Sequence, residues 1–384
     1  AYILFAISLF ISDRLWQEKE LIVITSSLIF FTILGVEWFY KGIEQYQYIT
    51  VRTIIFRCIA LIVTFILVHT ESDYVIFGVI TVFATIGSSI INLFKLRSYI
   101  PFEIYKNYNF SRHLKPMFLL FLTSFAIAIY TNTDTTMLGF IRNDTDVGFY
   151  NAAVRVKVIL LGVVTSLGVV LLPRLSYYIE HNMLDEFSIA LNKSVNFIML
   201  IALPVAIFFI LFAKETILVL AGENYVESIL PLQIVMATVV LVGITNILGI
   251  QVLLPLKRDG ALLISVLIAA VVDILLNLFF IPTLGATGAA ISTTVAELVV
   301  LVVQCYFVRN YLKILFSKIQ YVKIILAIIT SSLISKIFDE YLDFSLFVTL
   351  VISGVIFFLI YFLILFLLKE KFLSDVIKKF KFTT

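Results

Sequence analysis

Runs of apolar residues, each near the length of a bilayer-crossing helix, alternate along the chain with short polar clusters. A hydrocarbon layer of ~30 Å takes about 20 apolar residues at ~1.5 Å per residue. Runs of roughly that length cover 20–37, 51–69, 73–95, 116–138, 148–172, 194–213, 229–255, 260–281, 286–308, 321–337 and 344–368, and predict a transmembrane helix over each. A further stretch, 1–11, is too short to cross alone; it begins at Ala1 rather than at a methionine and predicts a chain that starts inside a twelfth helix. The runs are continuous, whereas barrel strands alternate polar and apolar positions, so helices are selected over a β-barrel. The expected fold is all-α, a polytopic membrane protein with about twelve transmembrane helices.

Proline punctuates the pattern. Pro116 and Pro231 stand near helix starts, Pro173, Pro255 and Pro282 at expected helix ends. Pro204 falls inside a span and predicts a kink, which a membrane tolerates where neighbours re-satisfy the backbone. Trp16 and Trp38 bracket the 20–37 span as interfacial anchors would.

Composition agrees: 61% of residues are hydrophobic and 14% charged, with a mean hydropathy of +1.10, which excludes a soluble globule. Cys58 and Cys305 lie inside apolar runs and read as small buried hydrophobes. His69, His113 and His181 are scattered and lack metal-ligand spacing. A net charge of +3 gives no nucleic-acid signal, but its distribution orients the chain. One set of alternate loops carries Lys41 and Arg52, the five basic residues between Lys95 and Lys115, Arg174, Lys193, Lys257, Arg258, the four from Arg309 to Lys323 and the five from Lys369 to Lys381. The opposite loops hold only Arg14, Lys19, Arg142, Lys214 and Lys336, so the first set and the C-terminus are expected on the cytoplasmic side. No loop is long enough for a folded soluble domain, and no nucleophile, metal cluster or acid–base set stands near an interface. The chain is therefore expected to be no enzyme, to hold no cofactor and to act inside the membrane.

Asp134-Thr-Thr-Met-Leu-Gly139, Val147-Gly-Phe-Tyr-Asn-Ala152 and Val170-Leu-Leu-Pro-Arg-Leu-Ser176 resemble the seventh and eighth helices of Wzx-type oligosaccharide flippases. Ile281-Pro-Thr-Leu-Gly-Ala-Thr-Gly-Ala-Ala-Ile-Ser-Thr-Thr294 is similar to the turn between their eleventh and twelfth helices, and Glu37-Trp38-Phe39 and Ser72-Asp73-Tyr74 fit as well. These proteins belong to the multidrug, oligosaccharidyl-lipid and polysaccharide exporter superfamily, built as two six-helix lobes around a central cavity. The resemblance implies that 1–100 is the remainder of the N-terminal lobe, helices three to six, with the first two helices missing. It implies that 110–310 is the C-terminal lobe, helices seven to twelve, and 321–384 an accessory helix pair with a cytoplasmic tail. It further implies a flippase that carries an isoprenoid-pyrophosphate-linked oligosaccharide across the cytoplasmic membrane for capsule, O-antigen or exopolysaccharide biosynthesis. Implied partners are the lipid-linked oligosaccharide, membrane lipids, a polysaccharide polymerase and glycosyltransferases, with no nucleic acid. A multidrug or cation antiporter and a lipid II flippase of the same superfamily are the alternatives.

Ionisable groups at membrane depth cost about 2.5–3.5 kcal/mol each on insertion scales and usually face a cavity, a partner or the interface. Arg57, six residues into its span, either snorkels to the headgroups or meets substrate. Asp134 and Arg155 flank the outward turn near Asn143 at comparable depth and are able to pair; Lys157 lies about half a turn deeper. Arg155 and Lys157 are alternatively a cationic patch, a guanidinium fork and a point charge for pyrophosphate. Arg155, Lys157, Arg57 and Asp134 are thus the substrate-binding candidates. Asp273 and Glu297 reach mid-membrane at nearly one depth, where two ionised carboxylates repel; they are candidates for ion coupling, or for hydrogen bonding to Asn277 or Thr293. Gly285, Ala289 and Thr293, with Ala286, Ala290 and Thr294, give one helix two small-residue faces for close packing. Tyr130 and Tyr150 are candidate sugar-stacking rings.

Overall fold

The computed structural model describes residues 19–70, 73–100, 111–316, 319–341 and 345–374. The apolar stretch 1–11, Trp16 and the C-terminal Lys378, Lys379 and Lys381 lie outside the described residues. Those described are overwhelmingly helical, with no strand among them, and the contacts divide the chain into two units, 1–108 and 109–384.

The first unit contains α1 (Lys19–Leu34), α2 (Glu37–Gly42), α3 (Tyr46–Leu67) and α4 (Tyr74–Leu96), with α4 packed against α1 and α3. Helix α1 stops where Val36 takes a left-handed φ of 39°. The break is held by α4, whose Asn92 side-chain amide donates to the Gly35 carbonyl at 2.7 Å and whose Asn92 carbonyl accepts the Tyr40 hydroxyl at 2.7 Å. Phe65, Ile33 and Phe94 expose more than 65% of their surface, which suits a lipid environment.

The second unit contains α5 (Ser111–Ile141), α6 (Asp144–Glu180), α7 (Leu184–Leu211), α8 (Ala213–Ala221), α9 (Ile229–Asn246), α10 (Asp259–Leu284), α11 (Ala286–Phe307), α12 (Arg309–Phe316), α13 (Tyr321–Tyr341) and α14 (Leu346–Leu367). A 3-10 turn, Glu223–Ser228, leads into α9, and a π-helical segment, Ile247–Leu253, prolongs it. Among the described residues, ten helices are long and apolar enough to cross a membrane. Helix α5, at 31 residues, adds the segment predicted over 116–138.

Two tight turns fix the layout of this unit. Asn143 caps α6 by accepting the Asp146 amide at 2.8 Å, and Asp144 and Asp146 place negative charge on the positive end of the helix. Between α10 and α11 a single residue, Gly285, turns the chain at φ +56°, a conformation glycine adopts without strain. One turn later a Cβ on Gly288 would stand 2.5 Å from the Phe280 carbonyl oxygen of α10, so only glycine lets the two backbones meet. Ala286, Ala289, Ala290 and Thr293 are buried, as the small-residue faces predict, and α11 packs against both α9 and α10.

The prolines depart from expectation at one position. Pro173 was expected to end its helix, yet α6 runs through it to Glu180. The extra turns bury Leu175 completely against the core, which offsets the lost hydrogen bond. Helix α7 runs through Pro204, which cannot donate to the Leu200 carbonyl four residues earlier. The Tyr361 hydroxyl of α14 donates to that carbonyl instead, at 3.0 Å. Phe357 of α14 packs on Phe208 of α7 beside it, with centroids 5.4 Å apart, so the pair α13 and α14 docks where the proline leaves α7 short of a donor.

Candidate functional site

Four helices of the second unit each bring two polar residues, one or two turns apart, to a common interior. Helix α5 gives Tyr130 and Asp134, α6 gives Tyr150 and Lys157, α10 gives Asp273 and Asn277, and α11 gives Thr293 and Glu297. Spacings of four or seven keep each pair on one helix face. Counted along each helix from the α5–α6 and α10–α11 turns, the eight residues form two layers. Asp134, Tyr150, Asn277 and Thr293 lie ~10–14 Å in, and Tyr130, Lys157, Asp273 and Glu297 lie ~18–21 Å in.

The nearer layer is closed by hydrogen bonds onto one carboxylate. Asp134 Oδ2 accepts the Tyr150 hydroxyl at 2.7 Å and the Thr293 hydroxyl at 2.7 Å, and Oδ1 accepts the Asn277 amide at 2.6 Å. Asn277 also reaches Asp273 Oδ2 at 3.3 Å and so links the two layers. Asp134 is 2% exposed, Asp273 and Asn277 0%. In the deeper layer Asp273 Oδ1 is buried without a partner among the described residues, as is Asn277 Oδ1, while the Tyr130 hydroxyl lies beside the Glu297 carboxyl. A cavity of about 550 Å³ opens beside them, lined by Tyr130, Asp134, Tyr150, Lys157, Thr293 and Glu297. Three carboxyl groups thus converge with one ammonium, and among the described residues none of them forms an ion pair. Buried, under-satisfied oxygens around surplus carboxylates can hold a proton or a small cation; they offer nothing to a second anion.

The other candidates lie elsewhere. Arg155 and Lys157 are two residues apart, hence about 200° apart around the helix, and the structure separates them. Lys157 faces the acidic cavity, whereas Arg155 is exposed in a different groove of about 540 Å³ with Gly148, Asn151, Ile159, Leu220 and Tyr225. They do not form one cationic patch, and Asp134 is not the partner of Arg155, because its oxygens are taken by Tyr150, Asn277 and Thr293. Glu297 is half-buried and joins Asp273 in the same interior. Arg57 is exposed on α3 in the first unit. Tyr130 and Tyr150 are 7% and 3% exposed, so neither presents a ring face to a sugar. Sequence reasoning did not assign Tyr150 to Asp134; the helical phase shared by 150, 154 and 157 was the available signal.

These features define a class: a polytopic α-helical membrane protein with a polar cluster buried in a helical bundle. The fold is that of a solved flippase structure, the lipid II flippase MurJ in an inward closed conformation. The match has a TM-score of 0.67 at 20% identity and covers 95% of this chain and 76% of that one. The family model for polysaccharide biosynthesis protein matches residues 2–179. A protein named as an O-antigen transporter from Escherichia coli (strain K12) is 30% identical over 278 residues, 71% of this chain and 66% of that protein. A second protein so named, from Shigella dysenteriae, is 24% identical over 72% of this chain and 70% of its own length. A protein named as a low-salt glycan biosynthesis flippase from Haloferax volcanii is 22% identical over half of this chain, and the match spans 40% of that protein. The chain thus spans about two thirds of the length of the two O-antigen transporters. It belongs to the polysaccharide biosynthesis protein family, the group to which the Wzx-type resemblance points.

Proposed function

We propose that this protein is a flippase of the cytoplasmic membrane that translocates an isoprenoid-pyrophosphate-linked oligosaccharide for cell-surface polysaccharide assembly. What carries the reading is the 30% identity to an O-antigen transporter over 71% of the chain. In this reading, 1–100 corresponds to helices three to six of the N-terminal lobe, 110–310 to the C-terminal lobe and 321–384 to an accessory pair with its tail. The protein is a transporter rather than an enzyme, and it hands its cargo to a polymerase supplied by glycosyltransferases.

The separation of the two polar regions supports a division of labour. Arg155, exposed in its groove, engages the pyrophosphate through a guanidinium fork; Arg57, exposed on α3, is a further substrate-binding candidate within the first unit. The acidic cluster takes the coupling role: Asp134, Asp273 and Glu297 gain and lose a proton or small cation, Lys157 offsets part of their charge, and Asn277 and Thr293 relay the change to α10 and α11.

Complementation tests the reading. The complete reading frame, expressed in cells that lack their own O-antigen flippase, is expected to restore polymerised O-antigen on the surface, and Asp273→Asn to abolish the rescue with normal protein abundance. Rescue of drug tolerance without O-antigen would instead support the antiporter.

A further inference from the structure

Among the described residues, the first unit contains a buried cation with no anion. Arg52, two turns into α3, is 7% exposed, and its Nε and Nη1 have no hydrogen-bond partner. Its Nη2 makes a long hydrogen bond, 3.4 Å, to the hydroxyl of neighbouring Thr53, and the Tyr48 hydroxyl lies close by. Among the described residues no carboxylate reaches it; Glu37, the acid of α2, is paired with Lys41 at 3.4 Å. A second cation stands on the same group of side chains. Lys95, in the last turn of α4, places Nζ 3.4 Å from the centroid of the Tyr48 ring, and the Arg52 guanidinium lies 5.7 Å from that centroid. The Tyr48 hydroxyl is buried close to the Arg52 guanidinium. Tyr40, fully buried, backs the Tyr48 ring at 5.2 Å.

Two like charges gathered on one ring, one of them desolvated and both without a counter-charge among the described residues, are an arrangement that an anion completes. The shape narrows the anion. The guanidinium offers a planar fork, Lys95 a point charge and the Tyr48 hydroxyl a donor, a set that matches an anion with several oxygens such as a phosphate group. Tyr48, whose ring both cations approach, is only half-buried. Arg52 lies near the start of α3 and Lys95 near the end of α4, which puts both at the end of the unit that the basic-residue count assigns to the cytoplasm, at headgroup depth.

We propose that Arg52, Lys95 and Tyr48 form a binding site for the phosphate group of an anionic lipid in the inner leaflet. It is distinct from the Arg155 groove and independent of which sugar is carried. Its effect is to fix the α3–α4 end of the first unit to the headgroup layer.

The test is thermal unfolding of the purified full chain in mixed micelles titrated with phosphatidylglycerol, with phosphatidylcholine, or with inorganic pyrophosphate in neutral detergent. Phosphatidylglycerol is expected to raise the melting temperature of the wild type where phosphatidylcholine does not. Loss of a charge-assisted contact should raise the half-saturating lipid fraction at least about tenfold in Arg52→Gln and in Lys95→Gln. Without anionic lipid, Arg52→Gln should melt no lower than wild type, since it removes an unpaired buried charge; a purely structural arginine would give a lower value. An Arg52-dependent rise with pyrophosphate alone would keep the phosphate site and assign it to a soluble ligand. Equal responses of wild type and both variants to every additive would overturn the proposal, and Lys95→Gln carries the test by itself should Arg52→Gln fail to fold.

Discussion

Tyr361→Phe isolates a single hydrogen bond whose need the sequence itself creates. Pro204 strands the Leu200 carbonyl in the middle of α7, and the Tyr361 hydroxyl meets it at 3.0 Å. Tyr361 is 0% exposed and Leu200 5%, so no solvent can replace the donor. An unsatisfied buried acceptor costs about 1–3 kcal/mol in soluble proteins, but hydrogen bonds between membrane helices average about 0.6 kcal/mol and reach about 1.7 at most. The second scale governs here, because the unfolded chain in a bilayer finds other partners. The expected loss is therefore about 1 kcal/mol, near the upper half of that range, since this carbonyl has no helical donor to fall back on. Pro204→Ala supplies that donor, and in its background Tyr361→Phe should cost only a few tenths of a kcal/mol. A double-mutant cycle measured by reversible unfolding in bicelles reads the difference. Equal losses in the wild-type and Pro204→Ala backgrounds would refute the claim that Tyr361 compensates the proline.

Three further outcomes are expected. Gly288→Leu should sharply lower the yield of folded protein, by overpacking of about 1–3 kcal/mol or more, while Gly260→Ala, with nothing within 4 Å of its added methyl, should be neutral in the same size-exclusion assay. Asp134→Asn and Arg155→Gln should each impair export, and the double variant should do no better than the worse single, because the two side chains do not pair; recovery in the double would restore the ion-pair reading. Single cysteines at Asn143 should react with an impermeant thiol reagent from outside, and those at Asp259 and Asn310 only after the membrane is opened, the reverse pattern inverting the orientation.

The helices were legible in the sequence because the bilayer makes length and apolarity nearly sufficient. Over the described residues the predicted spans from 20–37 to 344–368 fall largely on helices, the first broken at Val36, and the small faces around Ala289 mark a close contact. Pro173 misled because the cost of a proline is local, whereas the burial of Leu175 that outweighs it is tertiary. The site was legible in part. Asp134, Asp273, Glu297 and Lys157 stood out as charges at depth, and Asn277 and Thr293 as available partners. That Asp134 meets residues of α10 and α11 depends on which helices are neighbours, and spacing along the chain does not encode that. The separation of Arg155 from Lys157 was encoded, as a turn of about 200° between positions two apart, but depth alone had been used to group them. Arg52 was counted only as a loop charge, since neither its burial nor the ring it shares with Lys95 leaves a trace in hydropathy.

The central claim is that this protein carries a pyrophosphate-linked sugar lipid across a bilayer with Arg155 holding the anion. Its most direct test is translocation in proteoliposomes that contain the purified full-length protein and an isoprenoid-pyrophosphate-linked oligosaccharide, with the sugar exposed on each face read by an impermeant glycosidase. The wild type should equilibrate the sugar between leaflets, Arg155→Lys should do so more slowly because a point charge replaces the fork, and Arg155→Ala should stay near the rate of empty vesicles. Translocation by Arg155→Ala at the wild-type rate would contradict the role of Arg155, and no translocation by the wild type would contradict the flippase itself.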